Sequence, residues 1–237
     1  MGILASAMPT RPAGPSAACL LVLPLACLLA AAAEAAELSA VLFDTEVTQV
    51  VREGPGDLSP TELRIVPPAL GVAASRDACE PTDVHWLTPR TPSRARGSFT
   101  RRGADQVIVS VRLRRCDDVE ESPLPGALVL YDADAVVATL ARRANVLVVS
   151  DVDGDGLEEV VIVTDEVGLG AFQRYASLWG FAQGEPRLLT DFGEVAADYC
   201  GSYILYDEPV IHSRVTYVPD DGAPTFDVVR RTAPCRY

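Results

Sequence analysis

The chain has 237 residues, 49% of them hydrophobic and 22% charged, with 33 acidic against 20 basic residues. That apolar content excludes a disordered polypeptide, and the presence of only one long apolar stretch excludes a polytopic membrane protein. A net charge of -13 repels phosphate and excludes a general nucleic-acid binder.

The first element in chain order is an apolar run, Ala17 to Ala33, preceded by Arg11 and followed by small residues. This is the pattern of a secretory signal peptide over residues 1–36, cleaved after Ala33 or just after Ala35 and starting at Met1 or Met8. Two alternatives are a retained N-terminal anchor, for which the run is short, and a lipid on Cys27 within Leu25-Ala26-Cys27. Against the lipid, Leu28 and Leu29 continue the apolar run past that cysteine. Export places the mature chain outside the cell or in the periplasm, with no stable membrane span after cleavage. Removing Cys19 and Cys27 leaves Cys79, Cys116, Cys200 and Cys235. An even number in an oxidising compartment implies disulfides. Of the possible connectivities the local one is favoured, Cys79 with Cys116 and Cys200 with Cys235, each contributing roughly 3–4 kcal/mol through loop closure. No CxxC pair supports a redox site or a zinc ribbon.

Residues 37–237 read as a single all-β domain. Short apolar segments with period two, or with continuous β-branching, fall at Leu38–Val51, Glu62–Val66, Gln106–Leu113, Ala127–Tyr131, Val136–Leu140 and Val146–Ser150. They continue at Glu159–Thr164, Ala171–Phe181, Arg187–Thr190, Ile204–Tyr206, Ile211–Tyr217 and Thr225–Arg231. Turn residues punctuate them, as in Gly54-Pro55-Gly56, Pro67-Pro68 and Asp220-Asp221-Gly222. No window after the signal sustains a helical stripe. Ala133–Asn145 is rich enough in Ala for a short helix, but Val136-Val137 favours a strand. Many short strands at near-regular spacing mean a sandwich, barrel or propeller.

Segment 89–104, with Pro89, Pro92, Ser93 and Gly97 among arginines, reads as a long exposed loop. From 90 to 116 the charge is strongly basic: Arg90, Arg94, Arg96, Arg101, Arg102, Arg112, Arg114 and Arg115 stand against Asp105 alone. Such a segment either takes an anionic ligand or is a solvated loop balanced by the acidic run at 117–121 and the acidic body of the protein. The second reading is favoured.

One motif carries chemistry. The strand Val146–Val149 runs into Ser150-Asp151-Val152-Asp153-Gly154-Asp155-Gly156-Leu157-Glu158-Glu159, and a second strand, Val160–Val163, follows at once. Carboxylates at positions 1, 3 and 5 of a tight loop converge on one cation, Gly at position 6 permits the turn, the Leu157 carbonyl points inward, and Glu159 closes the shell. The donors are all oxygen, which suits Ca2+. Magnesium prefers fewer carboxylates and more water, and zinc wants His or Cys. Carboxylates about 4 Å apart repel by roughly 1 kcal/mol in water and about 4 near a protein surface, so a cation relieves the loop. An EF-hand is excluded because its position 12 is Ile162, within a β-branched run.

Asp-Val-Asp-Gly-Asp-Gly-x-x-Glu between two apolar strands resembles the calcium loop of FG-GAP/VCBS repeats, the blades of integrin-type β-propellers. The preceding Gly126–Ala135 is similar to the inner hairpin of such a blade, so the resemblance covers residues 126–170. It implies Asp151, Asp153, Asp155, the Leu157 carbonyl and Glu159 as calcium ligands. The motif occurs once, whereas a full propeller repeats it. Thr100–Ser110 has the same loop-then-strand shape with arginines where ligands would be, and Leu189–Glu194 is a weaker copy. The expectation is a small or degenerate β-propeller-like fold with one calcium hairpin, with a β-sandwich as the alternative.

Trp86, Trp179, Tyr199, Tyr203 and Tyr206 suit either a sugar-stacking surface or strand packing, with packing favoured. His85 and His212 are the only histidines. Gly-x-Ser-x-Gly, His-Glu-x-x-His and phosphate-loop motifs are missing from the sequence. The functional expectation is a secreted, non-catalytic calcium-binding module with an unknown protein or polysaccharide partner at the cell surface or in the periplasm. The alternative is an exported hydrolase whose calcium is structural.

Overall fold

A computed structural model describes residues 39–53, 58–70, 84–87, 93–115, 126–202, 209–219 and 224–235, with the backbone path alone for 84–87 and 112–115. The expected signal peptide, the Cys79–Cys116 pair, the strand at Ile204–Tyr206 and the acidic run at 117–121 lie outside the described residues. The twelve described strands are β1 (Ala40–Asp44), β2 (Val84–Leu87), β3 (Arg94–Gly97), β4 (Gln106–Arg115), β5 (Gly126–Asp132), β6 (Ala135–Leu140), β7 (Asn145–Ser150), β8 (Glu159–Gly168), β9 (Ala171–Gly180), β10 (Arg187–Asp198), β11 (Val210–Val218) and β12 (Thr225–Ala233). One helix, α1 (Pro60–Ala69), precedes β2.

The fold is all-β, as the alternation and β-branching require. Its strands form two sheets rather than four-stranded radial blades among the described residues. The larger has seven strands in the order β1-β11-β10-β9-β8-β7, with β12 also paired to β11. The smaller has five, β2-β4-β5-β6 with β3 also on β4. All of these strand pairs are antiparallel, and β4 to β6 and β7 to β10 run as meanders. Ala133–Asn145 resolves as a tight turn and strand β6, as the Val136-Val137 pair indicates.

Alternation sorts the side chains into three layers. Ile108, Leu128 and Leu130 of the smaller sheet meet Val146, Val160 and Ile162 of the larger. The opposite face of the larger sheet, with Leu147, Val161, Val163, Ala176 and Leu178, packs with Phe43, Phe192 and Val215. The sheet therefore curls until β1 and β7, at opposite ends of its order, share one apolar cluster. Phe192 sits edge-on between Phe43 and Phe226, at 5.7 and 5.4 Å between ring centres. The third layer is α1, whose Val66 packs with Leu58 over Val107, Val109 and Val129. Because β8 has a sheet or core on either side, its run Glu159–Val163 is buried throughout, which is why it reads as continuously apolar.

Several local expectations are corrected. Glu62–Val66 is helical, not a strand: Ser59 and Glu62 form a capping box and Pro60 occupies the first turn, where its missing N–H costs nothing. The strand expected over Leu38–Val51 stops at Asp44, where a turn closes through Thr48 N–H on the Asp44 carbonyl at 2.7 Å. Leu189–Glu194 is not a loop copy but the middle of β10, whose register against β9 shifts there and whose Gly193 has φ +66°. Segment 89–104 contains β3, in which Arg94 and Ala95 are buried. Thr100–Ser110 keeps its expected loop-then-strand form, entering β4 at Gln106. Cys200 and Cys235 are disulfide-bonded, as the local pairing requires.

Candidate metal centre

Strands β7 and β8 form a hairpin closed by the pair Ser150↔Glu159, and the acidic loop spans the gap between them. Val152 anchors this loop: it is fully buried in the cluster that also holds Leu147 and Val161. Gly154 and Gly156, at φ +75° and +80°, let the chain reverse where a Cβ would be strained.

Each aspartate organises the backbone ahead of it. Asp151 accepts from Gly154 N–H at 2.7 Å through Oδ1 and from Gly156 N–H at 3.0 Å through Oδ2. Asp153 Oδ1 accepts from Asp155 N–H at 3.0 Å, and Asp155 Oδ1 from Leu157 N–H at 2.7 Å. Glu159 reaches back from β8 to accept from Val152 N–H at 2.9 Å. The outcome is convergence: one oxygen each of Asp151, Asp153 and Glu159 lies within 4.8 Å of the others, a group able to hold a metal ion. Burial pushes the Glu159 carboxyl up to about 7, assisted by the charges of Asp153, Asp155 and Asp151 and opposed by the Val152 N–H.

Of the expected ligands, Asp155 is exposed and stands apart from this convergent group, with its carboxylate turned onto Leu157. Leu157 is half-buried in the returning limb of the loop. Glu158, the acidic neighbour of Glu159 in the loop, faces the smaller sheet. Its Oε2 accepts from Ser98 N–H at 2.6 Å while its own N–H donates to the Ser98 carbonyl at 3.0 Å. The acidic loop is thereby clamped to the 98–105 loop. That second loop is ordered by Gln106, whose Oε1 accepts from Phe99 and Thr100 N–H and whose Nε2 donates to Thr100 Oγ1. Arg102 lies against Gly156, bringing a positive charge to the rim of the acidic loop.

Three other arginines of the basic segment, Arg94, Arg96 and Arg101, are met by acids. Arg96 pairs with Asp105 at 3.1 Å and Arg101 with Asp132 at 2.6 Å. Arg94 forms a buried bidentate pair with Glu62, each bond 2.7 Å. Tyr131 O–H and Ser59 N–H also donate to that carboxylate, at 2.9 and 2.6 Å. Burial alone would raise Glu62, but Arg94, Ser59 and Tyr131 outweigh it and hold the carboxyl below its ordinary range. Sequence reading missed this network. Its one local signal is Ser59-Pro60-Thr61-Glu62, the capping-box spacing.

Among the aromatics, Trp179 Nε1–H donates to Ser177 Oγ at 2.9 Å, and Tyr199 O–H to Glu194 at 2.7 Å. Gln173 Nε2 also donates to Glu194 and Tyr199. Trp86, Tyr203, Tyr206 and His85 lie where side chains are not described. His212 sits on β11, its Nδ1 buried without a hydrogen-bond partner among the described residues. No described helix is long and apolar enough to cross a membrane.

No family model, curated protein or solved structure matches the chain.

Proposed function

We propose that this chain is an exported, non-catalytic β module that binds calcium in the β7–β8 loop, of the FG-GAP/VCBS kind, and engages a protein or polysaccharide at the cell surface or in the periplasm. The observation that carries the reading is the convergence of Asp151, Asp153 and Glu159 oxygens within 4.8 Å on a hairpin whose turn is held by its own backbone N–H groups. The donor set is hard oxygen without imidazole or thiolate, and the loop is flexible in ligand number, which suits calcium over zinc or magnesium. The Cys200–Cys235 disulfide supports an oxidising destination.

Bound calcium would neutralise the aspartates and tie the end of β7 to the start of β8. Asp151, Asp153 and Glu159 would hold it, and the Leu157 carbonyl and Asp155 would complete the shell on a modest turn of the loop. An extracellular module of this kind binds with a dissociation constant of about 10⁻⁴–10⁻³ M. At a hundredfold excess over that constant the folded state gains about 2.7 kcal/mol.

The test is calorimetric titration of calcium into chelator-stripped protein, paired with thermal scans. Calcium should raise the thermal midpoint, and Asp153→Ala should remove both the heat and the shift while leaving the fold. Unchanged scans with calcium and with chelator would overturn the assignment.

A further inference from the structure

The edges of the two sheets are not treated alike. The outer side of β7 is covered: Val51 N–H donates to the Val146 carbonyl at 2.9 Å, and Val146 N–H donates to Ser93 Oγ at 2.9 Å. β3 is covered by residues 51–53, with a parallel bridge Arg52↔Arg94 and bonds from Glu53 N–H to the Arg94 carbonyl and from Arg94 N–H to the Val51 carbonyl. β6 lies against the 3₁₀ turn Ala182–Gly184, with Gly184 abutting the Val137 carbonyl. Among the described residues, β12 has β11 on one side and nothing on the other.

An open strand edge is a template for another strand, and proteins blunt it with bulges, proline, brevity or charged side chains. β12 has no bulge, no internal proline and is not short; its charges, Asp227, Arg230 and Arg231, are of both signs. It is nine residues long and pairs with β11 at nine consecutive positions without a shift, whereas β1, β7 and β10 are all bulged against their neighbours. Pro224 and Pro234 stand just outside it. Val229, at its centre, is 47% exposed.

The strand is also complementary to itself. Set antiparallel to a second copy with Val229 opposite Val229, Asp227 faces Arg231 of the partner subunit, and the same pair recurs across the axis. Asp227, Val229 and Arg231 share the outer face, because Phe226 and Val228 turn toward the core. Asp227 has no ion-pair partner among the described residues. Arg231 is held in place by Glu46 at 3.1 Å and Asp44 at 3.7 Å while its side chain stays 47% exposed. Opposite charges directly across an antiparallel pair stabilise it, and like charges there oppose it.

We propose that β12 is the edge along which two copies of this chain join, antiparallel and two-fold symmetric about Val229, merging their seven-stranded sheets into one. The occupant is a second copy because the charge pattern is matched by its own reverse. The inference is independent of the metal.

The test is sedimentation velocity on the full chain, produced by export with its disulfide intact, over a concentration series in calcium and in chelator. A reversible dimer is expected in both. Val229→Lys sets two ammonium groups against each other at the axis, and Asp227→Arg sets arginine against arginine. Each should weaken the dimer by about tenfold or more, and Asp227→Glu should preserve it. Circular dichroism checks the fold, and if Val229→Lys does not fold, Asp227→Arg carries the test. A single-chain mass at every concentration, a dimer only in calcium, or a dimer that survives Asp227→Arg overturns the proposal. A dimer that persists while calcium has no effect sustains it and separates it from the metal assignment.

Discussion

Arg94 meets Glu62 through two hydrogen bonds of 2.7 Å, and neither side chain reaches solvent appreciably, at 5% and 0% exposure. The pair ties the first turn of α1 to β3 and, through Tyr131, to β5. With the packing of Val66 and Leu58 over Val107, Val109 and Val129, it seats the helix on the smaller sheet. An ion pair removed from water is costly to form and more costly to break, because the survivor is left as a buried, uncompensated charge.

Arg94→Met should therefore destabilise the protein by about 3–5 kcal/mol, while Glu62→Met with Arg94→Met together should cost much less than either alone. Urea unfolding of the three variants measures this as a double-mutant cycle. Additive losses would mean that the two side chains do not act as a pair. The pH dependence has a definite sign. Glu62 is held below its ordinary 4.5, so its contribution is complete above that value and is lost as pH falls through the lower folded one. Arg94→Met should remove that acid sensitivity.

Much of this was legible in the sequence, and what was not has a common cause. The β7–β8 loop was readable because its carboxylates lie within nine consecutive residues, so spacing and geometry coincide. Even there, spacing does not tell which carboxylates converge: Asp151, Asp153 and Glu159 do so while also accepting loop N–H bonds, whereas Asp155 and Glu158 accept N–H bonds outside the convergent group. β8 was readable because burial on both faces leaves an unbroken apolar run. Segment 89–104 was not, because arginine and proline argue locally for solvent. The partner that allows Arg94 to be buried is Glu62, distant in sequence. α1 was hidden in turn by Pro67-Pro68, which sit within its last turn.

Glu159 supplies a second pH dependence, of opposite sign to that of Glu62. Its carboxyl is pushed up to about 7 in the metal-free fold from an ordinary 4.5, so the folded state keeps a proton that the unfolded chain has released. In chelator, stability from this group is complete below about pH 4.5 and is lost as pH rises through about 7, a change of order 3 kcal/mol at most. On the proposed assignment calcium would compete with that proton, so its stabilising effect should be small at pH 5 and large at pH 8. Thermal midpoints with calcium and with chelator across this range measure both trends. Glu159→Gln should flatten the chelator curve and abolish the calcium effect. A calcium effect equal at pH 5 and pH 8 would remove Glu159 from the site.

The clamp between the two loops depends on a missing side chain. A Cβ on Gly97 would lie 2.5 Å from Glu158 Oε2 and 2.8 Å from the Phe99 ring. Gly97→Ala therefore has to push Glu158 off Ser98 N–H, leaving a half-buried donor unsatisfied and loosening the acidic loop at its C-terminal side. The expected cost is about 1–3 kcal/mol in urea unfolding. The same change should weaken calcium binding, because Glu159 follows Glu158 directly and the entry to β8 would no longer be fixed. Glu158→Ala removes one of the two colliding groups, so Gly97→Ala should cost less in that background, with the Phe99 contact accounting for what remains. If Gly97→Ala costs as much with Ala at 158 as with Glu, the collision is with the ring alone and does not act through the Glu158 carboxylate.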